Sequence, residues 1–219
     1  MPRPPAILCI GRNYADHAAE MGAVAQRGHP MVFLKNPASV VGDGEAIRIP
    51  AICRDHGPQV DWEGELAVVI GRDCRDVPES KALEVVAGYA AANDVSARWW
   101  QKEGSGGQFC RGKSFDTFCP LGPVKPAKDV GDPQALTLTT RLNGEIVQQA
   151  STSLMLFSVA TLVSELSRGM TLLAGTVILT GTPSGVGSAR KPPRFLVAGD
   201  RIEVEIEKVG RVGNVVEEE

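Results

Sequence analysis

The amino-acid sequence predicts an α+β fold that consists mostly of β-strands. Strand-like patterns outnumber helical ones, and no β-α-β rhythm with a glycine fingerprint occurs along the chain. The 24 glycines and 15 prolines favour many turns between short elements. A chain of 219 residues is long enough for one main domain with a substantial core. We therefore expect a small N-terminal portion, residues 1–51, followed by a main domain, residues 52–219.

The clearest strand pattern is Trp62–Ile70, whose centre is apolar and β-branched. Leu136–Leu142 and Glu145–Ala150 are predicted to form a hairpin, because Asn143-Gly144 between them suits the positive φ angles of a type I′ turn. Further strands are predicted at Ala6–Ile10, Met31–Lys35, Ile47–Ile49, Val86–Asn93, Thr176–Thr180 and Arg201–Ile206.

The clearest helix has an apolar face formed by Val159, Leu162, Val163 and Leu166, which are spaced three and four residues apart. Ser158 is its predicted N-cap and Gly169 its predicted C-terminal stop. Shorter helices are predicted from Asn13 or Asp16 to about Ala25, over Pro78–Val85, and from Ser96 to about Gln101; the glycine-rich Glu103–Gly107 is predicted to be mobile.

Composition argues against several classes of protein. The net charge is −3 with scattered basic residues, which does not favour a nucleic-acid surface. No stretch approaches the ~20 apolar residues of a membrane span, and no targeting segment is visible. The five cysteines include no Cys-x-x-Cys pair, so we expect reduced thiols and a cytoplasmic location.

Three carboxylates are candidates for a metal site. Glu63 and Glu65 are two residues apart on the Trp62–Ile70 pattern, so the period of a strand places both on one face. Asp94 ends another predicted strand and would meet them if the two strands are neighbours. Converging carboxylates repel unless a cation neutralises them, and all-oxygen ligation favours Mg²⁺ or Mn²⁺. The alternative is a solvated strand face for the two glutamates and a turn at Asp94.

Other segments offer further candidate chemistry. His17 and Glu20 are spaced to touch on one helical face, where the carboxylate would orient the imidazole as a general base. Lys113 lies in a loop of small residues and could reach a carboxylate or an enolate. The loop Gly181–Gly187 could present backbone N–H groups to an anion. The alternatives are a surface pair, a solvated lysine and a structural turn.

Six segments in this order resemble the fumarylacetoacetate hydrolase family, and together they span nearly the whole chain. They are Gly11–His17, Phe33–Lys35, Trp62–Leu66, Asn93–Arg98, Arg111–Asp116 and Leu179–Gly185. The resemblance implies mixed β-sheets rolled into a partly open barrel, and a homodimer. The N-terminus begins almost at the first strand, so we expect a single catalytic module without the extra N-terminal domain of larger members.

The resemblance also implies roles for individual residues. It implies Mg²⁺ or Mn²⁺ on Glu63, Glu65 and Asp94. It implies that His17 and Glu20 form a water-activating pair on a lid segment. The residues implied to assist catalysis or to surround the substrate's carboxylate and oxo groups are Lys35, Arg98, Gln101, Lys113 and Thr182.

The expected reaction is metal-dependent hydrolysis of a carbon–carbon bond in a 2,4-dioxo acid. Acylpyruvates such as fumarylpyruvate or maleylpyruvate would give pyruvate and a carboxylic acid, as in aromatic-acid catabolism. Decarboxylation of oxaloacetate and isomerisation of 2-hydroxyhepta-2,4-diene-1,7-dioate are alternatives that use the same pyruvyl end, and a non-catalytic oxo-acid binder is a remote one. Trp99, Trp100 and the insertion Gly104–Gly107 depart from the family pattern, so the fit beyond the pyruvyl end is open.

Overall fold

The computed structural model describes residues 3–25, 28–57 and 59–219. The strands are β1 Ile7–Gly11, β2 Met31–Lys35, β3 Val40–Val41, β4 Ile47–Ile49, β5 Val60–Asp61, β6 Gly64–Ile70, β7 Val86–Asn93, β8 Ser96–Ala97, β9 Cys119–Pro120, β10 Lys125–Pro126, β11 Thr137–Leu142, β12 Glu145–Ser151, β13 Val177–Leu179, β14 Arg201–Ile206 and β15 Gly210–Glu218. The α-helices are α1 Ala15–Glu20, α2 Arg98–Gln101, α3 Phe109–Gly112, α4 Ala127–Val130 and α5 Val159–Ser167. Short 3₁₀ turns lie at Pro37–Ser39, Ala51–Cys53, Glu79–Val85, Glu103–Ser105, Thr152–Leu154 and Gly187–Ala189.

Two mixed sheets make up most of the fold. The six-stranded sheet has the order β10-β7-β6-β13-β1-β2, and the five-stranded sheet has the order β12-β11-β14-β15-β4. β1 runs parallel to β13 and β15 runs parallel to β4, whereas the other pairs within these sheets are antiparallel. Each sheet ends in two edge strands, so neither closes into a barrel within the described residues. The predicted fold class, α+β with mostly β-strands in mixed, partly open sheets, is confirmed.

Alternate side chains along the strands face opposite sides of the six-stranded sheet, so a separate hydrophobic cluster forms on each face. One face of the six-stranded sheet packs with the five-stranded sheet and α5 around Leu8, Leu66, Ile178, Leu138, Val204 and Leu162. The other face carries smaller side chains, including Ile7, Cys9, Ala67, Ala92 and Leu179. Because Glu65 alternates with Leu66 along β6, its carboxylate emerges on the side of the smaller residues, where there is room for polar groups.

Several predicted elements are confirmed. Asn143 and Gly144 have φ angles of 52° and 87° between β11 and β12, as a type I′ hairpin requires. The Ser158 hydroxyl accepts a hydrogen bond from the Thr161 N–H at 3.1 Å at the start of α5. Gly169 follows the end of α5 with a φ of 68°.

The Trp62–Ile70 prediction is wrong in detail, since β5 ends at Asp61 and β6 begins at Gly64. The N–H of Trp62 donates to the Asp61 carboxylate at 2.8 Å, and the N–H of Glu63 donates to the Asn93 amide oxygen at 3.0 Å. These backbone donors therefore bind side chains instead of a neighbouring strand, which interrupts the ladder.

Three helix predictions are also corrected. The first helix begins after Tyr14 and ends at Glu20, because the Asn13 side chain bonds the backbone of Phe157 and Thr180 instead of capping it. Ser96 lies in β8, so the turn to Gln101 begins after Ala97. The segment predicted as a helix at Pro78–Val85 forms a 3₁₀ turn over Glu79–Val85. Glu103–Ser105 also forms a 3₁₀ turn, and the mobility of Glu103–Gly107 stays a prediction.

None of the described helices is long and apolar enough to cross a membrane. The predicted division between residues 51 and 52 stays a prediction. In the structure β1 and β2 pair within the six-stranded sheet and β4 pairs with β15 of the five-stranded sheet.

Asp200 offers a test of the hairpin region. Its carboxylate accepts hydrogen bonds from Arg194, from the Val197 N–H and from Asn143 at 2.6 to 2.9 Å. Burial alone would raise the pKa of Asp200, but these donors outweigh it and lower the pKa. We expect Asp200→Asn to reduce the free energy of unfolding by about 1–3 kcal/mol at pH 7.

The lowered pKa of Asp200 fixes how its contribution to the free energy of unfolding changes with pH. Because the pKa of Asp200 is lower in the folded chain, its contribution is complete above about pH 4 and is lost as the pH falls through the folded value. The difference in urea-unfolding free energy between the wild type and Asp200→Asn should therefore shrink on acidification. Glu205→Gln, in the exposed pair with Arg141, is the control and should change stability by less than about 0.5 kcal/mol. A pH-independent difference would contradict the assignment.

Candidate active site

Glu63, Glu65 and Asp94 come together at the shared end of two strands. β6 and β7 are antiparallel with Gly64 opposite Asn93, so the start of one strand lies beside the end of the other. Carboxylate oxygens of the three residues lie within 4.8 Å of one another, and all three side chains are buried. The structure therefore brings the three predicted metal ligands together.

Two buried ammonium groups accompany these carboxylates. Lys113 donates to Glu63 Oε2 and to Asp94 Oδ2, each at 2.6 Å. Lys35 donates to Asp94 Oδ1 at 2.6 Å and to the Val95 carbonyl at 3.3 Å. Both lysines are therefore partners of the candidate ligands and are not solvated surface groups.

The three carboxylates differ in their surroundings. Burial alone would raise the pKa of Glu63, but Lys113 and Arg98 outweigh it and hold that pKa well below its usual range. Burial, Asp94 and Glu63 raise the pKa of Glu65 well above its usual range. Within the described residues Glu65 has no cationic partner, and the Gly181 N–H donates to it at 2.7 Å. Ionising Glu65 is therefore unfavourable unless a bound cation neutralises its charge.

The charge of Lys113 is secured by the same neighbours. Burial disfavours the charged amine, but Asp94 and Glu63 raise the pKa of Lys113 above its usual value. It therefore stays an ammonium throughout the neutral range, able to stabilise negative charge but not to act as a base.

His17 and Glu20 form the predicted pair. His17 Nδ1 lies 2.8 Å from Glu20 Oε1, and the Gly185 N–H donates to Glu20 Oε2 at 2.9 Å. Because a carboxylate only accepts, the pair places the proton on Nδ1 and leaves Nε2 as the basic nitrogen. Gly185 thus anchors Glu20, and through it His17, to the loop that follows β13.

Arg98 is more tightly held than the sequence suggests. Its guanidinium donates to Glu63 at 2.6 Å and to Gln101 at 3.0 Å through Nη1. Its Nε donates to Asp61 at 2.8 Å. Asp61, which the sequence reading missed, also accepts the N–H groups of Gly187 and Ser188. Arg98 and Gln101 therefore support Glu63, whatever contact they make with a substrate.

Thr182 is held by a second residue that the sequence reading missed. The Thr182 hydroxyl donates to the Gly64 carbonyl at 2.9 Å and accepts from the Gln148 amide at 2.8 Å. Gln148 also accepts from the Gly64 N–H at 2.9 Å. Because its proton is already committed, the Thr182 hydroxyl offers a cavity only a lone pair.

A cavity of about 100 Å³ joins most of these residues. The predicted site residues that line it are His17, Glu63, Arg98, Gln101, Lys113 and Thr182; its other lining residues include Arg12, Met21, Phe33, Lys102 and Phe109. Lys35, Glu65, Asp94 and Glu20 are not among its lining residues; Asp94 and Glu20 contact the lining residues Lys113 and His17, respectively. A larger surface depression of about 570 Å³ around Arg141, Arg201 and Glu203 contains none of the predicted residues.

Trp99 and Trp100 do not line the cavity. Trp99 stacks on His56 with ring centroids 3.4 Å apart, and Trp100 packs edge-on against Trp99 and Phe115. The expected influence of the two tryptophans on the cavity wall is therefore indirect at most.

The fold and this buried acidic centre define a known class. Residues 6–217 match the family described as fumarylacetoacetate (FAA) hydrolase, C-terminal, and the chain belongs to that family. The similarity predicted from the six sequence segments is confirmed.

Curated relatives carry names of tautomerases. The chain is 46% identical over 214 residues to oxaloacetate tautomerase fahd2, mitochondrial, of Xenopus laevis, covering 97% of this chain and 66% of that protein. It is 46% identical over 219 residues to oxaloacetate tautomerase YisK of Bacillus subtilis, covering 99% of this chain and 71% of that protein. The chain thus spans about two thirds of the length of these relatives.

Solved structures agree with this fold. A 5-carboxymethyl-2-hydroxymuconate delta-isomerase from Mycobacterium smegmatis superposes with a TM-score of 0.85 at 42% identity, covering 99% of this chain and 80% of that one. A fumarylacetoacetate hydrolase from Exiguobacterium antarcticum has a TM-score of 0.88 at 48% identity, covering 99% and 76%. The tautomerase and isomerase names do not specifically support the predicted carbon–carbon hydrolysis; they favour the alternatives named beside it.

The donor set fits a hard divalent cation. Three buried carboxylates within 4.8 Å supply only oxygen, and Glu65 is left without a counter-charge in the described residues. Counting Asp61 with them, four carboxylates face the cations Lys35, Lys113 and Arg98, which leaves one negative charge in the buried cluster.

We expect Glu65→Gln to lower Mn²⁺ affinity by at least about 100-fold, because the variant removes a ligand charge. The same variant should raise the melting temperature of the metal-free protein, since it removes the repelled carboxylate. Isothermal titration calorimetry with Mn²⁺ measures the affinity. Thermal unfolding without Mn²⁺ measures the melting temperature of the metal-free protein. Glu84→Gln, an exposed residue, is the control. Unchanged Mn²⁺ binding by Glu65→Gln would place the metal elsewhere.

Proposed function

We propose that the chain interconverts the keto and enol forms of a small 2-oxo acid, with oxaloacetate as the leading candidate. The observation that carries this proposal is the His17–Glu20 pair, whose histidine lines the same cavity as Glu63 and Lys113. The names of the two curated tautomerases support the choice of substrate. Tautomerisation needs a base and a stabilised enolate but no attacking water, which separates it from the hydrolysis expected at first.

The proton transfer would be performed by His17. Nε2 accepts a proton from C3 of the keto acid, the C3–H electron pair becomes the C2=C3 double bond, and the 2-oxo oxygen takes the negative charge. Glu20 stabilises the imidazolium through Nδ1 at 2.8 Å. The imidazolium then gives its proton to the oxygen, directly or through a water that passes on one proton as it accepts another, which completes the enol and restores the neutral histidine.

The negative charge that develops on the 2-oxo oxygen needs a neighbouring group that stays positively charged. Lys113 stays charged between Glu63 and Asp94 and lines the cavity, so it stabilises the enolate electrostatically. Mg²⁺ or Mn²⁺ held by Glu63, Glu65 and Asp94 would supply a Lewis acid that polarises the 2-oxo group. The lone pair of Thr182 suits an enol hydroxyl, which can donate, better than a keto oxygen, which cannot.

Isomerisation of a 2-hydroxy-dienoate is a second candidate. A solved structure of a 2-hydroxyhepta-2,4-diene-1,7-dioate isomerase from Mycobacterium marinum matches with a TM-score of 0.84 at 40% identity, which supports it. This reaction moves a proton between carbons by way of the same 2-oxo enolate, so the roles of His17 and Lys113 would be shared. The homodimer, the cytoplasmic location and a part in aromatic catabolism stay predictions.

The test follows the enol absorbance of freshly dissolved oxaloacetate after addition of the Mn²⁺-loaded protein. We expect a faster loss of enol, and a decrease of about 10²–10⁴-fold in kcat for His17→Ala, the range for removal of a general base. Glu20→Gln should lower kcat less, because the imidazole remains. Total oxaloacetate, assayed separately, should stay constant.

Three other results would contradict this function. A fall in total oxaloacetate that accompanies the loss of enol would indicate decarboxylation. Turnover of fumarylpyruvate or acetylpyruvate, with enol oxaloacetate decaying at its spontaneous rate, would support carbon–carbon hydrolysis as the reaction instead. Turnover confined to the dienoate would select the isomerase.

A further inference from the structure

Arg12 is a cavity residue that the reaction described above does not use. It lines the same cavity as His17, Glu63 and Lys113. Arg98 and Lys113 are both bound to carboxylates, at 2.6 to 2.8 Å. For Arg12, by contrast, the structure shows no side-chain hydrogen bond, ion pair or aromatic partner among residues 3–25, 28–57 and 59–219. Its guanidinium is thus available to a ligand.

The backbone presents Arg12 in an unusual way. Its φ angle is 58°, a left-handed conformation that is uncommon for a residue with a long side chain. Such conformations persist where the surroundings impose them, and they occur preferentially at functional sites.

The surroundings of Arg12 are well defined. The buried Asn13 donates to the carbonyls of Phe157 and Thr180 and accepts from the Phe157 N–H, at 2.8 to 3.0 Å. Gly181 packs so closely here that an added Cβ would lie 2.8 Å from Asn13 Cβ. The turn is therefore locked against the end of β13, and Arg12 is held on a rigid support.

The charges that line the cavity favour a ligand with more than one negative charge. Glu63 is the acidic residue of the lining, and Lys113 and Arg98 already bind it. Arg12 and Lys102 add two further cations to the same lining. With a divalent cation on Glu63, Glu65 and Asp94, which outweighs the one excess negative charge of the buried cluster, a 2-oxo monocarboxylate held at Lys113 would leave this extra positive charge unmatched.

We propose that Arg12 binds the distal carboxylate of the substrate, so that the site selects 2-oxo dicarboxylates over 2-oxo monocarboxylates. A guanidinium binds a carboxylate through two parallel hydrogen bonds, which gives both affinity and orientation. This inference rests on the proposed function only for the 2-oxo end of the ligand, since the distal contact can be measured without turnover.

The test compares two unreactive ligands, malate and lactate, which share a 2-hydroxycarboxylate and differ in the distal carboxylate. Dissociation constants are measured by titration calorimetry on the Mn²⁺-loaded and the metal-free protein. Arg12→Gly is the informative variant, because glycine adopts a φ of 58° without strain and should preserve the fold. Lys208→Gly, a cation with a φ of 61° outside the cavity lining, is the matched control.

We expect the wild type to bind malate more tightly than lactate. Arg12→Gly should weaken malate binding by about 10- to 100-fold, the range for a charge-assisted hydrogen bond, and change lactate binding by less than about twofold. Arg12→Lys should retain part of the malate affinity that Arg12→Gly loses, since lysine keeps the positive charge but lacks the two parallel donors of a guanidinium. Lys208→Gly should leave the dissociation constants of both ligands unchanged.

Two outcomes would overturn the proposal. One is equal weakening of malate and lactate by Arg12→Gly, which would mean a general effect on the cavity. The other is a Lys102→Gln variant that loses the preference for malate over lactate while Arg12→Gly keeps it, which would assign the contact to Lys102. If oxaloacetate is not tautomerised but the malate preference still depends on Arg12, this inference stands and the proposed function fails.

Discussion

The Lys113 ammonium, placed 2.6 Å from both Glu63 and Asp94, is the contact on which the rest of the site depends. The antiparallel register of β6 and β7 brings three carboxylates into a buried space, where their repulsion would oppose folding. Lys113 reaches them from the end of α3, and Lys35 reaches Asp94 from the end of β2. The charge pairs therefore join segments distant in sequence. Among the residues that the structure describes, Glu65 is the candidate ligand left without a cationic partner.

The loop Gly181–Gly187 links the parts of the site. Its N–H groups at Gly181, Gly185 and Gly187 donate to Glu65, Glu20 and Asp61, respectively. One of these carboxylates is a candidate metal ligand, one orients the base, and one holds Arg98. The sequence predicted that this loop offers N–H groups to an anion, and in the structure these anions are carboxylates of the chain itself. A shift of this loop would thus disturb all three functions together.

The sequence predicted the strands, the hairpin and the three converging carboxylates because these depend on local periodicity and on an ordered set of motifs. It did not reveal Asp61 or Gln148, since their partners Arg98 and Thr182 are 37 and 34 residues away and meet them only in the folded chain. The break at Trp62 was missed because side chains replace the strand partner: Asp61 binds the Trp62 N–H, and Asn93, 30 residues away, binds the Glu63 N–H. Arg12 was visible within a motif, but its significance depends on its having no side-chain partner in the described part of the chain, which a sequence cannot show.

Hydrolysis, tautomerisation and isomerisation share one requirement, a stabilised enolate of a 2-oxo acid, and the residues that meet it carry the clearest motifs. What separates the reactions is the atom that lies opposite His17 Nε2: a water for hydrolysis, or C3 of the substrate for proton transfer. That choice depends on how the ligand fills a cavity of about 100 Å³, in which a second carboxylate held at Arg12 would occupy space otherwise open to water. If the proposed function holds, the residues that hold the far end of the substrate decide the reaction, and the family motifs around the candidate metal site leave that choice open.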